Sequence, residues 1–255
     1  MPRKKAMTSE KASFVKIKGH ADAREFANVL GIGKEFKCDP KAKKDVIDLE
    51  GRSYSVKSGE KKWQIFLYGE TRFKEDYVFK GMDGLGDLFL DCIKSFPIKR
   101  EEYLKNKILY KEKLKIPMRK LCRKLKDKRL LKAFLDKSIF NSGEVDFFII
   151  KDKEKFHGFW GRDVIEVLSK NFQVENSKAK TKNQMDDQKV IFKVRGKTYG
   201  EIEMRNDSEI HYREVKFWLD KNATFKLLVS SIKPSKNFNE RIILYGTAIK
   251  KLSKK

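Results

Sequence analysis

Asp45-Val-Ile-Asp-Leu-Glu-Gly-Arg-Ser-Tyr-Ser-Val-Lys57 reads as two short strands turning at Glu50-Gly51-Arg52. A three-residue loop there sets Leu49 opposite Ser53, Ile47 opposite Ser55 and Asp45 opposite Lys57. Strand side chains alternate between faces with period two, so Asp45, Ser55 and Lys57 fall on one face and Asp48 on the other. A slip of one residue would exchange the two aspartates, so the choice of Asp45 depends on the loop.

A carboxylate beside an ammonium suits metal-dependent phosphodiester cleavage. The carboxylate holds a divalent cation, and the ammonium acts on the water or on the developing phosphorane charge. The bland reading of the same two residues is a cross-strand ion pair, worth little on a surface. The polar turn Ser58-Gly59-Glu60-Lys61 that follows leaves the lysine head group open to a ligand.

Working outward, Ala23, Phe26, Ala27 and Leu30 recur at helical spacing before the hairpin, and Gly31 stands where that helix stops. Trp63 to Tyr68 is aromatic and branched, and is expected as a third, central strand. Leu85, Leu88, Phe89, Cys92 and Phe96 give a second helical stripe, ended by Pro97. From about Lys99 to Lys137 the pattern predicts two helices broken near Pro117, the second crowded with Arg119, Lys120, Arg123, Lys124, Lys126, Lys128 and Arg129. Those cations are either phosphate contacts or a solvated helix face. Val145 to Ile150 reads as a buried strand, Val164 to Phe172 as a helix, and Ser177 to Gln184 as a polar surface loop. A second hairpin turns at Arg195-Gly196-Lys197, and the chain closes with a helix near Asn222 to Ser231 and a strand at Ile242 to Tyr245. The order implies an α+β, or mixed α/β, fold: a central mixed β-sheet flanked by helices. One domain over 1–255 is expected, with a helical subdomain at about 99–137 and a recognition region at about 186–255.

Sixty basic residues against 36 acidic ones give a formal charge of +24, spread along the 255 residues, which points to a polyanionic partner. The first six residues are basic and expected to be mobile. No apolar run approaches the ~20 residues of a membrane span and no apolar leader follows Met1, so a cytoplasmic, soluble protein is expected. Cys38, Cys92 and Cys122 are far apart and odd in number, which excludes a closed disulfide set. With His20, His157 and His211 as the only histidines, a zinc hydrolase is poorly supplied with ligands, whereas a hard cation held by carboxylates suits the chain.

Two C-terminal stretches, Ile202 to Ser208 and His211 to Arg213, concentrate side chains that read base edges: Arg205, Asn206, Asp207, His211 and Arg213. Arginine pairs with guanine, asparagine with adenine, and a carboxylate accepts from cytosine. An ordinary polar strand pair is the alternative. Glu214-Val-Lys216, with Glu201, Glu203 and Asp207 nearby, also has the form of an acid-and-lysine active site. Trp63, Trp160, Trp218 and His157 are assigned to packing.

Over Asp45 to Gln64 the chain resembles the PD-(D/E)xK nuclease superfamily, in particular the type II restriction endonucleases. The resemblance implies a restriction-endonuclease-like core and Mg²⁺-dependent cleavage of double-stranded DNA at a short specific sequence. It places the metal-binding aspartate on Asp45, the variable second position on Ser55, a carbonyl metal ligand on Val56 and the catalytic lysine on Lys57. Ser55 departs from the acidic form of the motif by bringing no charge, and Glu25 or Glu35 from the helical region upstream are the candidates to supply it. A homodimer matching a palindrome and a neighbouring DNA methyltransferase gene are further implications. Two other functions fit the same charge: a non-catalytic nucleic-acid-binding module, and a structure-specific repair nuclease.

Overall fold

The computed structural model describes residues 9–182, 184–206 and 208–252. The basic residues 1–6 and Asp207, one of the expected base readers, lie outside them. In chain order the first elements are α1 (Ser9–Leu30), β1 (Lys37–Asp39), β2 (Lys44–Ile47), β3 (Ser53–Lys57), β4 (Lys62–Tyr68), α2 (Glu70–Glu75), α3 (Tyr77–Gly81) and α4 (Leu85–Lys94). There follow α5 (Arg100–Lys105), α6 (Lys107–Leu125), α7 (Lys128–Phe140), β5 (Phe147–Asp152), β6 (Lys155–Trp160), α8 (Gly161–Asn171) and β7 (Gln173–Asn176). The last are β8 (Lys189–Val194), β9 (Lys197–Arg205), β10 (Glu214–Asp220), α9 (Lys221–Ser231), β11 (Pro234–Asn237), β12 (Ile242–Tyr245) and α10 (Ala248–Leu252). The fold is mixed α+β, with two sheets of which one is mixed.

The chain divides into two compact units, each assembled from separated stretches: residues up to Lys61, Gly143–Val164 and from Phe225 onward in one, Lys62–Ser142 and Ile165–Thr224 in the other. Interleaving of this kind leaves no composition shift along the chain to mark a boundary. The segment 186–255 contributes to both units, and the helical segment 99–137 belongs wholly to the second.

The sheet of the first unit runs β1-β2-β3-β5-β6-β12-β11, parallel at β3–β5 and β6–β12 and antiparallel elsewhere. Helix α1 lays its apolar stripe on one face. Phe26 meets Tyr54 and Phe156 at ring-centroid distances of 5.3 Å each, and Tyr54 stacks on Phe147 at 5.0 Å. Each such fully buried ring contributes roughly 1.5–3 kcal/mol relative to exposure. The helix ends as its sequence predicts, with Gly31 at φ +93° and the Ile32 N–H donating to the Ala27 carbonyl at 3.1 Å. Phe147 to Ile150 are all buried, because this central strand is covered on both faces.

In the second unit the sheet runs β4-β10-β9-β8-β7, antiparallel throughout. Its inner face, carrying Phe66, Phe192, Ile202 and Phe217, is closed by an aromatic cluster in which Phe134 lies 5.3 Å from Phe217 and Phe73 stacks on Phe89 at 4.6 Å.

Two expectations are corrected. Trp63 to Tyr68 does form a strand, but β4 is an edge strand of the second sheet; the place beside β3 goes to β5, whose uniformly apolar side chains suit a doubly covered position. The helices between 99 and 140 break at Asn106 and Asp127, not near Pro117. Asn106 Oδ1 accepts the Leu109 N–H at 3.2 Å, and Asp127 Oδ1 accepts those of Arg129 and Leu130 at 2.8 and 3.1 Å. Each such N-cap contributes about 1 kcal/mol. Pro117 lies buried inside α6, as do Leu114, Met118 and Leu121, and the burial of that face offsets the one missing N–H donor.

Candidate active site

The hairpin forms, in a register two residues from the expected one: Val46 faces Tyr54 and Ile47 faces Ser53. The cause is Asp48. Its Oδ1 accepts the N–H groups of Glu50 and Arg52 at 3.0 and 2.9 Å, and its Oδ2 accepts Arg52 Nε at 2.6 Å and the Tyr54 hydroxyl at 2.7 Å. The carboxylate thereby organises a loop running from Asp48 to Arg52, closed by the Asp48 N–H on the Arg52 carbonyl at 3.0 Å. Burial, and after it the adjoining Asp48 carboxylate, push the Tyr54 hydroxyl far above its ordinary pKa, so it remains a donor.

A slip of two residues preserves every face. Asp45 and Ser55 therefore still share one side of the sheet, opposite α1, and Asp48 points to the other. Asp45 Oδ2 accepts the Val56 N–H at 2.7 Å and the Ser55 hydroxyl at 3.2 Å, and lies 3.7 Å from Lys57 Nζ. The last distance is too long for a hydrogen bond, so the ammonium keeps its donors for another ligand. Ser55 is buried, whereas the Asp45 and Lys57 side chains retain 33% and 22% exposure, which leaves them open to solvent.

Asp48–Arg52 and Val46–Tyr54 are hydrogen-bonded positions of the antiparallel ladder, so the next would join Val56 to Lys44. At such a position the N–H and C=O of one residue point to the same edge. The Val56 N–H goes to the Asp45 carboxylate instead.

The half-buried Asp45 carboxylate, steadied by the Ser55 hydroxyl, suits a hard cation that draws its remaining ligands from backbone oxygen, water and phosphate. Among the described residues no group of three or more His, Cys, Asp and Glu side chains is placed to hold a metal. Glu25 does not join Asp45: it pairs with Lys151 at 2.5 Å and with Arg241, on the α1 side of the sheet. Glu35 is exposed in the loop between α1 and β1.

At the rival site, Glu214 and Lys216 share a face of β10, but Glu214 Oε2 lies 2.8 Å from His211 Nδ1, and the acid facing Lys216 is Glu203 at 4.0 Å. Among the expected base readers, Arg205 and Asn206 line a cleft at the end of β9. Arg213 is drawn inward, Nη2 lying 3.2 Å from Glu70 Oε2 and Nε 3.4 Å from the Ile93 carbonyl. The basic helices are divided in role. Lys128 caps the end of α8 through the Ser169 and Phe172 carbonyls at 2.8 and 2.6 Å, and Arg119 pairs with Asp187 at 2.6 Å. Lys120, Arg123, Lys126 and Arg129 face solvent.

Trp63 and Trp218 are buried, with Lys62 Nζ 3.3 Å above the Trp218 ring, and His157 Nδ1 lies 2.9 Å from the Tyr245 hydroxyl. Cys38 is a free, exposed thiol; Cys92 and Cys122 are free and buried, and burial pushes Cys122 up to about 11. No helix among the described residues is long and apolar enough to cross a membrane. Comparison of the chain with protein-family models, curated proteins and solved structures returned no match.

Proposed function

We propose that the chain is a Mg²⁺-dependent endodeoxyribonuclease of the PD-(D/E)xK type that cuts duplex DNA at a short specific sequence, as a type II restriction enzyme does. The observation that carries the reading is the Asp45 carboxylate held by the Val56 N–H at 2.7 Å with Lys57 Nζ 3.7 Å away. Asp45 and the Val56 carbonyl would hold one Mg²⁺, with Ser55 positioning the carboxylate. Bound there, the ion would supply Lewis acidity to an attacking water and to the phosphate. Lys57 would donate to that water or to a non-bridging phosphate oxygen, where negative charge develops. Hydrolysis adds water across the P–O3′ bond and leaves a 5′-phosphate and a 3′-hydroxyl. The charge of +24 supplies sequence-independent attraction to the duplex. A homodimer reading a palindrome completes the proposal by analogy.

The same charge favours a second reading, a non-catalytic nucleic-acid-binding module. Incubation of pure protein with plasmid and long genomic DNA, with and without Mg²⁺, decides between them. Discrete Mg²⁺-dependent fragments are expected. Salt-sensitive binding without cutting in Mg²⁺ or Mn²⁺ would establish the module, and a smear or junction-confined cutting would indicate a repair nuclease.

A further inference from the structure

The outer face of the second sheet carries charges at alternating positions. Lys189 on β8 lies opposite Glu203 on β9, which in turn lies opposite Lys216 on β10. Lys189 Nζ reaches Glu201 Oε2 at 2.8 Å and Glu203 Oε2 at 2.7 Å, whereas Glu203 Oε1 stands 4.0 Å from Lys216 Nζ, outside hydrogen-bond range. Both carboxylates are thus fixed through one oxygen, and Glu203 keeps an acceptor to spare. Burial works against the Lys189 ammonium, but Glu203 and Glu201 hold its pKa above the ordinary lysine range. It stays charged, and the acids stay held.

Lys189, Glu201 and Glu203 line a cleft of about 670 Å³ together with Lys111, Gln188 and Asn206. Sites of roughly 300–1,000 Å³ take ligands of nucleotide size, and their orientation is set by a few fixed polar groups. An ion network serving only to join strands requires no open volume in front of it. Here the held carboxylates border one.

We propose that this cleft receives a nucleobase carrying an exocyclic amino group, adenine or cytosine, and sets sequence preference at that position. A carboxylate accepts from the cytosine N4 amino group, and an asparagine amide pairs with the N6 and N7 of adenine. Thymine would bring a carbonyl oxygen against Glu203, a repulsive element that excludes it. The inference rests on the nuclease reading only in taking duplex DNA as the ligand.

The test is selection of bound duplexes from a randomised library in Ca²⁺, using the full chain and its Glu203→Gln and Asn206→Ala variants. The parent protein is expected to enrich a motif with adenine or cytosine at one position. Glu203→Gln is expected to weaken preference there by roughly tenfold or more, with the other positions unchanged, as the loss of one directional base contact predicts. Asn206→Ala removes a half-exposed amide and supplies a well-folded check should Glu203→Gln misfold. Absence of any motif, or unchanged preference at every position in the folded variants, overturns the proposal. Cleavage in Mg²⁺ without a change of motif would reject the cleft alone; a changed motif without cleavage would reject the nuclease reading alone.

Discussion

The Asp45 carboxylate accepts the Val56 amide N–H at 2.7 Å, in the place where an antiparallel ladder would put the Lys44 carbonyl. One side chain therefore replaces a backbone acceptor. The pairing of β2 with β3 stops short of this position, at Val46 and Tyr54. The cost is one ladder bond. The gain is a carboxylate fixed by backbone, not by a mobile side chain, with an ammonium on the next residue of the same strand.

Lys57→Ala is expected to lower the cleavage rate by about 10²–10³-fold, the range for losing one donor to developing charge. Binding to duplex DNA in Ca²⁺ should stay within about threefold, since one lysine among the chain's 60 basic residues contributes little to overall attraction. Lys216→Ala should leave cutting in place, because its acid neighbour Glu203 belongs to another network. Rates and gel-shift affinities for the two variants check this. Loss of cutting in Lys216→Ala with retention in Lys57→Ala would transfer the active site to β10.

The strand hairpin, the α1 stripe and the second hairpin were legible because each is decided by local spacing. Arg195 and Gly196, at φ +48° and +77°, form the tight turn, which the glycine announces and in which the arginine is carried into the left-handed region. The length of the first loop was not legible from alternation, since it is set by Asp48 acting as a buried acceptor. Aspartate four residues before arginine across a glycine was the available signal. The sheet to which β4 belongs depends on pairing with β10, about 150 residues away, and no local pattern encodes that. The pairing of Arg213 with Glu70, 143 residues distant, was out of reach of local spacing for the same reason.

Asp48→Ala should destabilise the first unit by about 3 kcal/mol, because it orphans the Tyr54 hydroxyl and two backbone N–H groups together. Tyr54→Phe removes one of those donors and should cost about 1 kcal/mol. Urea unfolding of both variants measures the difference. Equal effects would mean that the loop does not depend on the carboxylate.

Lys137 and Asp76 form a buried pair at 2.9 Å, their side chains 7% and 5% exposed. Removing one partner leaves the other charge uncompensated in a dry site. Lys137→Met should therefore cost roughly 3 kcal/mol, the lower end of the usual range because Arg72 also reaches Asp76 at 3.1 Å. Thermal unfolding of Lys137→Met beside a Lys137→Met, Asp76→Asn double variant tests it, and the double variant should recover part of the loss.

The Glu25, Lys151 and Arg241 cluster contributes to the pH dependence of the first unit's stability. Burial raises the Glu25 carboxyl, but its bonds to Lys151 and Arg241 outweigh that and leave it below the ordinary value. A depressed carboxyl contributes stability above its unfolded value of about 4.3, and the contribution is lost as pH falls through the folded value. Lys151 behaves oppositely. Burial lowers it, yet Asp22 and Glu25 raise it overall, so its contribution is present below about 10.4 and lost as pH rises through the folded value. Glu25→Gln should flatten the acid limb of a stability–pH profile and reduce stability near neutrality, since Lys151 and Arg241 then lack one counter-charge. Denaturant midpoints from about pH 3 to 7 measure this. An acid limb unchanged in Glu25→Gln would mean that other carboxylates govern acid unfolding.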